Sequence, residues 1–201
     1  MSTHTQSTGP LEYRGLQNQM NILGFWIFLG AEIVLFSTLF ASYFVLEMNT
    51  AGGPTQAELF KIKDVMIETM LLLTSSFTSG LAIHQMREGK LKGLISWMIV
   101  TLLLGLGFVY MEVTEFIHYV HEGATIQTSA FLSAFFTLLG THGLHVSLGI
   151  GWITLILIQL ARRGLTPVTA RKTFIASLYW HFLDVVWIFI FTFVYLKGMV
   201  M

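Results

Sequence analysis

Residues 177–196 read SLYWHFLDVVWIFIFTFVYL, an apolar run that nonetheless carries Tyr179, Trp180, His181, Phe182, Leu183 and Asp184 in direct succession. A bilayer-spanning helix needs roughly 20 mostly apolar residues at 1.5 Å rise each, and this run has that length. A charged group at the centre of such a helix costs roughly 2.5–3.5 kcal/mol on insertion scales, so it turns toward protein and finds a partner there. Trp180, His181 and Asp184 therefore imply a bundle with a polar interior or a neighbouring subunit.

Four more runs of the same kind precede this one. The expected spans lie near 22–46, 65–86, 94–119, 129–160 and 174–196, and Pro10, Pro54 and Pro167 all fall outside them. Ala51-Gly52-Gly53-Pro54 marks a turn-rich connection. With 201 residues, 54% of them hydrophobic and only 11% charged, and a mean hydropathy of +0.71, the chain is too apolar for a soluble domain of its size. The fold class that follows is all-α, an integral membrane bundle of five transmembrane helices (21–201) behind a polar N-terminal segment (1–20).

The formal net charge of zero supplies no basic surface for nucleic acid. The lack of cysteine excludes disulfides, covalent c-type haem, iron–sulfur clusters and thiolate copper sites within this chain. Met1–Gln19 is polar with one basic residue, Arg14, so it does not have the make-up of a signal peptide, and the first apolar run is expected to be retained. Lys and Arg collect in cytoplasmic segments. Arg14, Arg87, Lys90, Lys92, Arg162, Arg163, Arg171 and Lys172 share one side, against Lys61, Lys63 and Lys197 on the other. That places the N-terminus inside and the C-terminus outside.

Glu32 falls about ten residues into the first span, roughly 15 Å from the boundary and close to mid-membrane. A carboxyl there needs a bound proton, a hydrogen-bonding partner, or both. A proton-exchanging acid and an interhelical hydrogen bond fit equally well. His142 and His145 stand three apart on one face of the fourth helix. That spacing can serve a metal, but packing and hydrogen bonding against a close neighbouring helix are favoured. His145 and Asp184 fall at depths similar to Glu32, with His181 about a turn away, so these four are expected to include at least one hydrogen-bonded pair. Glu112 and Glu115 form an i, i+3 pair near the end of the third span, with Glu68 close to the same boundary. Like charges that close repel unless water screens them; an acidic mouth for protons is one reading, and interfacial solvation the commoner one. Gly105, Gly107, Gly140, Gly143, Gly149 and Gly151 are read as sites of close helix packing. Many of the Trp and Tyr residues suit interfacial belts, whereas Trp187 sits mid-span as a packing residue.

These motifs combine into a pattern. Gly140-Thr141-His142-Gly143-Leu144-His145-Val146, the 179–187 string YWHFLDVVW, the 24–32 string GFWIFLGAE and Glu112-Val113-Thr114-Glu115-Phe116 closely resemble subunit III of haem–copper terminal oxidases. The resemblance runs from Asn21 to the C-terminus. It implies that Glu32 occupies the position of the family's carbodiimide-reactive membrane carboxyl and that Glu115 matches the acid of the third span here. Mitochondrial-type relatives have seven spans, so five resembles the bacterial form, in which subunit I can supply the missing helices. The strings at 50–55 (TAGGPT), 118–124 (HYVHEGA) and 162–167 (RRGLTP) look most like quinol oxidases of the aa3 or bo kind. A bacterial five-span cytochrome c oxidase shares much of the same pattern.

The function so implied is that of a non-catalytic subunit of a proton-pumping quinol oxidase complex in the bacterial cell membrane. Haem and copper are expected in the partners, namely catalytic subunit I, subunit II and a small subunit IV. This chain is expected to bind no redox cofactor or metal, with phospholipid as the remaining ligand. It has too few buried histidines for a haem–copper centre, since only His142, His145 and His181 lie well inside the spans. A transporter fits poorly, because five spans do not divide into paired repeats and no proline breaks a span. A membrane metalloenzyme would have to gather Glu32, His142, His145, His181 and Asp184 from several helices.

Overall fold

The computed structural model describes residues 9–51 and 62–200, without the side chains of Met199 and Val200. Five helices are long and apolar enough to cross a membrane: α1 (Leu16–Leu46), α2 (Ile62–Arg87), α3 (Leu91–His121), α4 (Ala130–Arg163) and α5 (Pro167–Ile190). No strand occurs among the described residues. The last helix continues through a π-helical turn at Phe191–Leu196 into a final α-helical turn, Lys197–Val200. The expectation of an all-α, five-span bundle is met.

Helices start and stop where backbone chemistry lets them. The α4–α5 link is Gly164-Leu165-Thr166-Pro167. Gly164 takes φ +67°, a left-handed conformation that favours glycine, and ends α4. Thr166 then caps α5, its hydroxyl accepting from the Thr169 N–H while the Thr169 hydroxyl accepts from the Thr166 N–H. Pro167 occupies the first turn, where its missing N–H costs nothing. Ser129 caps α4 by accepting from the Leu132 N–H at 3.1 Å.

α5 is the central element, packed between α1 and α4 on one side and α2 on the other, with α3 closing against α2 and α4. Trp180 and Trp187 are fully buried on it. Trp180 lies in a slot between Gly105 of α3 and Gly149 of α4, where a Cβ would stand only 2.7 Å and 3.0 Å from its ring. These two glycines pack as expected, though against a side chain rather than a helix backbone. Gly151 is a correction, because a Cβ there would meet nothing within 4 Å.

The α2–α5 interface is polar. Trp187 Nε1 donates to Thr69 Oγ1 (3.1 Å), Trp180 Nε1 donates to Ser75 Oγ (2.9 Å), and the Ser79 and Ser177 hydroxyls pair at 2.9 Å. On the α3 side Thr78 pairs with Thr101 at 2.8 Å. Side-chain hydrogen bonds supply cohesion where hydrocarbon gives no hydrophobic drive.

One end of the bundle gathers basic residues. Glu12, fully buried in a short 3-10 turn at Leu11–Tyr13, pairs with Arg87 at the end of α2 (2.9 Å). Arg171 of α5 donates to Asn18 of α1 at 2.8 Å. These bonds put the α1 N-terminus, the α2 C-terminus and the α5 N-terminus together. They also tie Glu12 and Asn18, in the polar N-terminal segment, to the bundle. In the link after α2, the Lys90 ammonium beside Glu88 holds that exposed carboxyl below its usual range. At the opposite end Lys197 pairs with Glu47 at 2.6 Å.

Candidate functional site

The ionisable residues singled out from the sequence fall into three separate places, with His142 apart from them. The first joins α1 to α4. His145 Nε2 lies 3.1 Å from Glu32 Oε2, while its Nδ1 lies 2.7 Å from the Thr141 carbonyl oxygen. A carbonyl only accepts, so Nδ1 carries a hydrogen. The Glu32 contact then holds one further proton, either on Nε2 facing a carboxylate or on the carboxyl facing a neutral imidazole. Both forms are neutral overall, as a pair deep in hydrocarbon requires. Phe36 packs edge-on against His145 (5.3 Å between centroids), and Tyr179 donates its hydroxyl to the His145 carbonyl at 3.1 Å.

The second place lies between α5 and α2. His181 Nδ1 is 2.6 Å from Ser76 Oγ, and the same hydroxyl faces Asp184. Asp184 is buried, and its Oδ1 has no partner among the described residues. The expected grouping of Glu32, His145, His181 and Asp184 is thus realised as two sites on different faces of the bundle, with Glu32–His145 the hydrogen-bonded pair between helices. Height along a helix axis does not fix the direction in which a side chain points.

The third place is acidic and sits toward the end opposite the basic residues. Glu115 accepts from the Tyr119 hydroxyl and, at 3.1 Å, from the Tyr195 hydroxyl, which the π-helical turn carries inward. Glu112 lies against Gly143, where a Cβ would be 2.6 Å from its Oε2. Glu68 is fully buried and both its oxygens lack a partner among the described residues, as does Glu112 Oε1. Solvation at the interface, the commoner reading of these acids, is therefore corrected for Glu68 and Glu112. A recess of about 390 Å³ bordered by Asp64, Glu68, Tyr110, Glu115 and Tyr119 opens beside them.

His142 stands apart from all three. It is fully buried, stacked on Trp187 (5.4 Å) and edge-on to Phe108 (6.0 Å), and neither ring nitrogen has a hydrogen-bond partner among the described residues. Packing is realised; the expected hydrogen bond is not. Its ring also meets Phe36 of α1 edge-on at 6.4 Å, as the His145 ring does at 5.3 Å, but only His145 bonds Glu32. Among the described residues no group of three or more His, Cys, Asp or Glu is placed to hold a metal ion. Ser75, Ser76 and Ser79, which organise the α2–α5 contact, went unnoticed in the sequence. The signal was the run Thr74-Ser75-Ser76-Phe77-Thr78-Ser79 in an otherwise apolar helix.

A five-helix membrane bundle with paired polar groups at mid-depth is the class these observations define. The family model of cytochrome c oxidase subunit III matches residues 11–199. The chain is 66% identical over 196 residues to quinol oxidase subunit 3 of Bacillus subtilis (strain 168), covering 98% of this chain and 96% of that protein. It is 51% identical over 200 residues to cytochrome c oxidase subunit 3 of Bacillus sp. (strain PS3), covering 100% and 97%. It is 54% identical over 197 residues to a probable quinol oxidase subunit 3 of Staphylococcus haemolyticus (strain JCSC1435), covering 98% of each. The chain belongs to the cytochrome c oxidase subunit III family, a non-catalytic subunit of haem–copper oxidases.

Proposed function

We propose that this chain is subunit III of a respiratory quinol oxidase, which couples quinol oxidation to reduction of O₂ to water and to proton movement. The observation that carries the choice of donor is the 66% identity to a quinol oxidase subunit 3, against 51% to a cytochrome c oxidase subunit 3. The partners are catalytic subunit I, subunit II and a small subunit IV, which hold the haem and copper. The seat is the bacterial plasma membrane, in keeping with relatives from Bacillus and Staphylococcus. The excess of Lys and Arg at one end favours an inside N-terminus and an outside C-terminus. Residues 1–20 form the cytoplasmic segment and 21–201 the membrane domain.

The chain's role is to steady the catalytic subunit and to support proton uptake. Within that role Glu32 and His145 are the pair that can hold and release a proton. Glu112, Glu115 and His142 shape the interior near the opposite end, and His181 and Asp184 line the α2–α5 face. Purifying the intact assembly and comparing its oxygen consumption with a quinol and with reduced cytochrome c tests the donor. Turnover with quinol and none with cytochrome c is expected; the reverse would make the chain subunit III of a cytochrome c oxidase.

A further inference from the structure

Two acids of the bundle interior have none of the partners that the chain gives to Glu12, Glu47 and Glu32, which pair with Arg87, Lys197 and His145. Glu68 of α2 is fully buried, and both of its oxygens lack a hydrogen-bond partner among the described residues. Glu112 of α3 is 3% exposed, lies against Gly143 of α4, and has no partner on Oε1 among the described residues. Among the described residues the groups whose charge acts on Glu68 are Glu115, Glu112 and Asp64, and the one that acts on Glu112 is Glu115; all are acids. His118 meets Glu122 at 3.1 Å, and His142 is stacked on Trp187.

An ionised carboxylate in such an interior needs a cation or several donors, whereas a carboxylic acid carries its own donor and no charge. Glu112 and Glu115 stand three apart on one helical face, so charge on both adds repulsion. The same acids have a way out to water. Glu68 and Glu115 border the recess of about 390 Å³ beside Asp64, Tyr110 and Tyr119. Glu115 is only partly buried, and it accepts from the Tyr119 and Tyr195 hydroxyls, the kind of donor that Glu68 and Glu112 lack. We propose that Glu68 and Glu112 are carboxylic acids in the folded chain and that their two protons form a store, exchanging with water in the recess by way of Glu115. In that exchange an inner acid gives its proton to the Glu115 carboxylate, which hands it to water, and the reverse transfer refills the store. The Glu68 oxygens have no open surface, so a proton passed between carboxyls reaches them where no larger ligand does. The inference rests on the reading of the chain as a support for proton movement and adds a second place, apart from Glu32 and His145, where protons are held.

The test uses the intact oxidised complex, whose infrared spectrum is compared with those of the Glu68→Gln and Glu112→Gln complexes. A protonated carboxyl has a carbonyl stretch above the amide bands, and a carboxylate does not. Each variant is expected to lose one such band from the wild-type spectrum. In deuterium oxide both bands should move to lower frequency, and Glu115→Gln should slow that move while leaving both in place. Glu32→Gln, on α1, should also leave both. If neither Gln variant loses a band, the two acids are ionised and the inference is overturned. Bands that never respond to deuterium oxide, or that respond as fast in Glu115→Gln as in wild type, overturn it as well. Both Gln variants are expected to assemble like wild type, because the amide is as neutral as the acid. Loss of assembly with Gln would mean that charge is required at that position, which again overturns the inference. Each of these outcomes leaves the comparison of quinol with cytochrome c as it was, so the two readings fail separately.

Discussion

At the scale of single residues, the Glu32–His145 contact is the feature with the clearest chemistry. The Thr141 carbonyl fixes a hydrogen on Nδ1, so the contact between Nε2 and the carboxyl holds one hydrogen. Removing the imidazole leaves the acid without its partner. Glu32→Gln should abolish labelling of this chain by a hydrophobic carbodiimide, read by mass spectrometry of the purified complex. Label retained at unchanged yield on another acid would show that Glu32 is not the reactive group. If Glu32→Gln also leaves turnover, proton stoichiometry and long-term activity as in wild type, the proton role goes with it. Tight packing gives a second expectation. Gly105→Ala drives a methyl to within 2.7 Å of the Trp180 ring, and overpacking of that kind costs about 1–3 kcal/mol. Gly151→Ala faces open space and should be neutral. Thermal unfolding of the two variants in the same detergent compares them; equal midpoints would mean that the Trp180 slot gives way freely. Glu32 and His145 were legible as two of four mid-span polar groups among which a hydrogen-bonded pair was expected, because depth and polarity stand out in the sequence; which two would pair was not. Ser76 as the partner of His181 was not, because serine costs little in a membrane helix and leaves no mark on hydropathy.

At the scale of elements, hydropathy measures the length of hydrocarbon crossed, whereas helices run until their backbone is capped. Hence all five expected spans correspond to helices, yet α1 begins at Leu16 rather than 22 and α5 at Pro167 rather than 174. The extra turns carry Asn18 and Arg171, whose side chains bond across the basic end, and Thr169, whose hydroxyl donates to the Gly164 carbonyl in its own link. The link that ends α4 was visible through Pro167, which falls outside the spans, and Gly164 with the helix-capping pair Thr166 and Thr169 completes it. The pair between Glu12 and Arg87 pins the N-terminal turn to α2, with the carboxylate buried and the guanidinium half exposed. Arg87→Met should therefore destabilise the bundle by about 1–3 kcal/mol, below the range for wholly buried pairs because solvent screens one partner. Combining it with Glu12→Gln should recover part of that loss, since no buried charge is then left unpaired. A double-mutant cycle read by denaturation checks this, and strict additivity would show that the pair contributes nothing.

At the scale of the whole molecule, the bundle is arranged around α5 with two unlike flanks. Toward α1 and α4 a mid-depth acid, Glu32, pairs with His145; toward α2, His181 and Asp184 meet the Ser76 hydroxyl. The family was legible in the sequence from strings such as residues 179–187, because those residues are specific in type and spacing. The division of the mid-depth groups between two faces was not, since it depends on how helices rotate about their axes as they pack. The central claim is that this polypeptide carries no redox centre and serves an oxygen-reducing partner. Its most direct test is the haem and copper content, together with oxygen consumption, of the isolated chain beside that of the intact complex. Neither haem nor copper and no oxygen uptake are expected in the chain alone, with all three in the complex. Stoichiometric haem or copper in the isolated chain, with oxygen consumed, would contradict it.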